Sequence, residues 1–141
     1  MLGFFRTKLL YVKHTESKPR PALLVQTLVI DIVLVLAFAL SGRRNHDETL
    51  GVIGVLETAW PFLTALAAGW LICRLWRQPL RIFPHGICLW LITVAGGMAL
   101  RILSGATAAL PFVVVATLVL ALFLLGQRII TTLLLRRTAK A

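Results

Sequence analysis

Four apolar runs, separated by short polar joints, give the chain its pattern. They cover about residues 22–40, 54–73, 86–103 and 109–126, and the last has an apolar continuation to Leu135. A helix that crosses a bilayer needs about 20 residues, with a range of about 17–25. Each run meets that length. None alternates with the period of two that membrane barrel strands require, and a helix satisfies its own backbone groups in lipid. The pattern predicts four transmembrane helices.

The joints carry the residues that end helices. Ser41-Gly42-Arg43-Arg44-Asn45-His46-Asp47-Glu48 is polar and contains a glycine. Residues 74–85 hold Pro79, Pro84 and three arginines, and Ser104-Gly105-Ala106-Thr107 makes a tight turn. Pro111 falls early in the fourth helix, where its missing N–H does little harm. The fold class that follows is all-α: a transmembrane four-helix bundle over residues 22–135. Residues 1–21 form a basic tail or, with Leu2, Phe4, Phe5, Leu9 and Leu10 among the cations, a helix lying on the membrane surface. Residues 136–141 form a second basic tail. Ala37-Phe38-Ala39 has the small-x-small form of a cleavage site. The run before it is long and carries Asp31 in its middle, so the first run is read as a retained span.

Composition agrees. Of 141 residues, 59% are hydrophobic and 14% charged, and the mean hydropathy is +0.90. A soluble domain carries about 25% charge, so that class is excluded. The net charge of +10 would fit nucleic-acid binding in a soluble protein. Here the charges flank the apolar runs, and no nucleic-acid partner is predicted. Twelve of the 15 basic residues lie in the N-terminal tail, the second joint and the C-terminal stretch from Arg128 onward. Arg43, Arg44 and Arg101 make up the rest. The positive-inside rule places both termini and the second joint in the cytoplasm, with the lipid bilayer of the cell membrane as first partner.

Charged groups inside a span are functional candidates. They are Asp31, Glu57 and Arg101. Counting about 1.5 Å per residue, Asp31 falls at the middle of its span, and Thr64, Thr93 and Thr117 near the middles of the others. This predicts a midplane layer of one carboxyl and three hydroxyls. Asp31 then serves either as a proton or cation carrier or as a neutral group hydrogen-bonding between helices. Glu57 and Arg101 lie at similar depth toward the outer side, where they can pair or hold a ligand. Arg43 and His46 in the first joint complete an outward polar mouth. One His beside two acids is a weak metal signal, and neither a metal nor a cofactor is predicted. Thr27, Asp31 and Phe38 share one helix face, Glu57, Pro61, Thr64 and Ala68 a second, and Thr93, Gly97 and Arg101 a third. Ala65 and Gly69, four apart, let backbones approach, and exposed they would mark a partner contact. The four tryptophans read mainly as interfacial anchors. Cys73 and Cys88 both fall near the cytoplasmic ends of their helices. A disulfide there is not expected in a reducing compartment.

These residues resemble a family of uncharacterised bacterial and archaeal integral membrane proteins, known as domain of unknown function three thousand fifty-four. The resemblance runs from about Asp31 to Arg128. It rests on Asp31 with Phe38-Ala39, Gly42-Arg43 with His46, Thr58-Ala59-Trp60-Pro61-Phe62-Leu63, Gly69-Trp70, Pro84, Gly86, Trp90, Thr93, Gly97, Arg101, and Phe112 with Val115-Ala116. The family's fourth helix ends in Gly-Trp-Arg, where this chain has Gly126-Gln127-Arg128. The resemblance implies four spans and brings no activity, substrate or cofactor.

Three functional classes follow. An accessory or interaction subunit of a membrane complex fits best, because the chain is short and has few polar groups inside. A small proton- or ion-coupled transporter or channel, as a homo-oligomer, is the alternative, with Asp31 at its midplane. An enzyme comes third: there is no Ser–His–Asp set and no phosphate loop.

Overall fold

The computed structural model describes residues 20–44 and 51–140, apart from the side chains of Arg43 and Arg44. Residues 1–19 of the first tail and His46 lie outside the described residues. Four α-helices form among the described residues: α1 Pro21–Arg44, α2 Val52–Ile72, α3 Ile87–Leu103 and α4 Leu110–Lys140. Each, α3 counted with the turn Ile82–Gly86 that leads into it, is long and apolar enough to cross a membrane. No strand occurs among the described residues. The all-α bundle of four membrane helices is therefore the fold.

Local sequence explains where the helices start and stop. Pro21 opens α1, a position where a proline's fixed φ suits the helix and no donor is lost. α2 and α3 end alike. The Arg74 N–H donates to the Leu71 carbonyl (3.4 Å) and the Leu75 N–H to that of Trp70 (3.2 Å). At the end of α3, Gly105 donates to Ile102 (3.0 Å) and Ala106 to Arg101 (3.1 Å). Both are the paired 5→2 and 6→1 bonds of a Schellman cap, whose pivot is left-handed. Gly105 has φ 87° and Arg74 has φ 51°. Past the first cap the chain turns inward, and Leu75 is fully buried. Nothing comparable interrupts α4. It runs 31 residues, about 46 Å, through Gly126 and beyond the apolar stretch.

The helices pack as a ring in chain order. α1 meets α2 and α4, α3 meets α2 and α4, and the diagonal pairs make no close backbone approach. The α2–α3 seam is the tightest because glycine lines it. A Cβ on Gly97 would overlap the Phe62 ring, one on Gly96 would sit 3.0 Å from the Ala65 Cβ, and one on Gly69 would sit 2.8 Å from Leu89 Cδ1. Phe62 also meets Phe38 edge-to-face, with centroids 5.3 Å apart, and Phe112 at 6.3 Å. This aromatic group ties α1, α2 and α4 together. The Ala65–Gly69 face is thus consumed inside the bundle.

Cys73, which caps α2, and Cys88, in the first turn of α3, form a disulfide with Cα atoms 6.3 Å apart. This corrects the expectation of two free thiols. That expectation came from the compartment, whereas the antiparallel α2–α3 seam brings the two helix ends side by side.

Candidate functional site

Asp31 on α1 and Arg128 on α4 form a buried ion pair, and both side chains are fully excluded from solvent. The contact is bidentate: Arg128 Nη2 donates to Asp31 Oδ2 at 2.7 Å and Nη1 to Oδ1 at 2.9 Å. Two more donors converge on the carboxylate. Trp70 Nε1 reaches Oδ2 at 3.0 Å, and Gln127 Nε2 reaches Oδ1 at 2.9 Å. Asp31 accepts four hydrogen bonds, two at each oxygen.

Arg128 is equally occupied. Its Nε donates to the Pro79 carbonyl at 3.0 Å, and Nη1 also donates to the Leu124 carbonyl at 2.8 Å, one turn back on α4. The flat guanidinium suits such a fork, with parallel bonds to the acid and further donors for backbone oxygens. Gly86 makes room for it, since a Cβ there would lie 3.4 Å from Arg128 Cδ and 3.2 Å from the Arg81 carbonyl. Pro79, buried in the α2–α3 loop, is thereby fixed to α4. The site joins α1, α2, α4 and this loop. Isolated buried charges are expensive, and a pair is tolerated only with good geometry and every remaining donor and acceptor satisfied.

The pair sits level with the last turn of α2, through Trp70, and with the entry to α3, through Gly86. α1 begins ten residues before Asp31 and α4 runs on for twelve after Arg128, or about 15 and 18 Å. The helices are staggered along the bundle axis. Counting to each span's own midpoint treats them as level, and for that reason the expected layer of hydroxyls is not assembled around Asp31. Thr64 is exposed and donates to the Trp60 carbonyl (2.8 Å), and Thr117 donates to the Val113 carbonyl (2.7 Å). Thr93 is buried, and its hydroxyl has no hydrogen-bond partner among the described residues. Nor has His85 Nδ1 or Gln127 Oε1.

The remaining candidates lie toward the other end. Arg101 donates from Nε to the Thr107 carbonyl at 2.9 Å, and its guanidinium carbon stands 4.5 Å from the Phe112 ring centroid. Glu57 is exposed. No ion pair joins these two among the described residues. Arg43 falls in the last turn of α1, its side chain outside the description, as is all of His46. Two tryptophans face inward rather than anchoring in the interface: Trp70 bonds to Asp31, and Trp90 Nε1 donates to the Thr117 carbonyl at 3.0 Å.

Arg128 is the residue that sequence reasoning passed over, because it counted among the basic residues of the C-terminal side. The apolar continuation to Leu135 carried the signal. It carries the fourth helix past Arg128, so that position 128 is a cation within an apolar helix, and Asp31 was an acid in need of one.

The sequence pattern of the family described as Protein of unknown function (DUF3054) matches residues 28–131. That covers most of the chain, including both members of the ion pair, and the chain belongs to this family. No curated protein and no solved structure matches it.

Proposed function

We propose that this member of the family is an accessory or interaction subunit of a complex in the cell membrane, with both termini and the α2–α3 loop on one side of it. One observation supports the reading above others. The buried acid, the natural candidate for a carrier, is saturated by four hydrogen bonds. A carboxyl that loads and unloads a proton or ion must exchange partners, while one held in this way serves rigidity. With Ala65–Gly69 used internally, the partner surface falls to the lipid-facing helix sides and to the end of the bundle that carries Glu57 and Arg101. The test is native mass spectrometry of the protein extracted in mild detergent at its natural level. A foreign subunit at fixed ratio is expected. A monomer, or copies of this chain only, would overturn the proposal.

A second reading, an ion- or proton-coupled transporter, draws on the unpartnered polar atoms of Thr93, His85 and Gln127. Gln127 itself touches Asp31, so a mobile proton donor or water beside it would find a lone pair there. Coupled flux in vesicles that disappears in Asp31→Asn, with the bundle intact, would favour this reading.

A further inference from the structure

We propose that the α2–α3 loop binds the headgroup of an anionic phospholipid, held by Arg74 and Arg77 beside Trp76. Three observations converge on this loop. The first is charge. Arg74, Arg77 and Arg81 are all exposed. Only two acids occur among the described residues: Asp31, which is spent on Arg128, and Glu57, thirteen residues before Trp70 on the same helix and so at the far end of the bundle. Arg81 is occupied by the Gln78 side chain and the Phe83 carbonyl. Arg74 and Arg77 meet no carboxylate among the described residues.

The second is depth. Because α1 and α4 continue about 15–18 Å past the level of the ion pair, the loop closes short of the helix ends, at a step in the bundle. Exposed apolar side chains flank that step, Val25 on α1 and Ile129, Ile130 and Leu133 on α4. A soluble anion has no use for such a wall, whereas acyl chains do. Trp76, 43% exposed between the two arginines, has the mixed apolar and polar character suited to the headgroup boundary.

The third is preorganisation. The loop is fixed at both ends by the Cys73–Cys88 disulfide, from within by buried Leu75, and at Pro79 by Arg128. Arginines on a fixed loop lose little freedom when they take a phosphate in forked contact.

The experiment loads the purified full chain with phosphatidylglycerol or phosphatidylcholine of identical acyl chains and counts retained lipid by native mass spectrometry. Glycerophosphate serves as the headgroup without chains. Wild type should retain phosphatidylglycerol in preference. Each basic residue near a membrane surface contributes about 1 kcal/mol, which is about fivefold in affinity. R74Q/R77Q should therefore weaken retention by about 25-fold, R74K/R77K should keep most of it, and R136Q/R137Q, with the same charge loss at the end of α4, should change it little. Equal retention of the two lipids by wild type would overturn the site, whatever the variants do. So would equal losses in the two glutamine variants, which would mean diffuse attraction, or glycerophosphate competing as well as the whole lipid.

Discussion

Arg74 and Gly105 hold the same position in two copies of one helix-ending motif, both left-handed, at φ 51° and 87°. Only Gly105 does so without the crowding of a Cβ. A left-handed backbone costs a non-glycine residue about 1–2 kcal/mol. A new glycine gives back about 0.4–1 kcal/mol through the freedom it adds to the unfolded chain. Arg74→Gly should therefore raise stability by about 0.5 kcal/mol in a zwitterionic detergent, read from the unfolding midpoint. The same change should weaken phosphatidylglycerol retention, so its two effects have opposite signs.

Removal of either member of the buried ion pair strands the other. Asp31→Leu or Arg128→Met alone should cost about 3–5 kcal/mol. The double variant should recover a large part of that loss, because apolar replacement of a whole buried pair is often neutral or better. A double-mutant cycle on denaturant or thermal unfolding measures the coupling. Additive losses would show that the two side chains act independently. Trp70→Phe keeps the ring and removes one donor to a charged acceptor, with an expected cost of about 1.5–3 kcal/mol.

Two glycines should respond in opposite directions. At Gly97 a methyl group collides with the Phe62 ring in the α2–α3 seam, and Gly97→Ala should cost about 1–3 kcal/mol. Gly126 lies within α4 with nothing within 4 Å of its added Cβ. Gly126→Ala should gain up to about 1 kcal/mol from helix propensity. Parallel unfolding curves of the two variants check both.

Purified protein should resist thiol alkylation until it is reduced, and then take up two labels, at Cys73 and Cys88. Intact mass before and after reduction reads this directly. Labelling of both thiols without reductant would remove the disulfide from the clamp on the α2–α3 loop, leaving Leu75 and the Arg128–Pro79 bond.

The spans were legible because lipid forces a long apolar run on each helix, and the joint at 105 because glycine and polar residues mark it; at 42 the same signal misled, since α1 continues through Ser41 and Gly42 to Arg44. The faces were partly legible. Thr27, Asp31 and Phe38 do point inward together, as their spacing implies. On α2 the inward stripe runs through Ala59, Phe62, Leu66 and Trp70, and of the expected face of Glu57, Pro61, Thr64 and Ala68 only Pro61 is buried. The reading followed polar residues, while the packing followed the small and aromatic ones at the glycine-lined seam. Asp31 was found as a candidate from its cost in lipid. Its partner was not, because pairing two helices 97 residues apart in sequence depends on their stagger, and periodicity within one helix carries no information about stagger.

The ion pair also sets an order on how the protein can be made. Asp31 enters the membrane with the first helix, and the cation that neutralises it belongs to the last. At about 5–20 residues per second, the ribosome needs roughly 5–20 s to travel from one to the other. For that interval the newborn first span carries an acid with no arginine to meet it, a state the bilayer tolerates poorly. Nor can the ring of helices close before residue 128 has left the exit tunnel. A chain cut short anywhere before that point lacks the side chain that joins its beginning, its middle loop and its end. Quality control in the membrane would thus meet any product that ends between residues 31 and 128 with an unmatched aspartate.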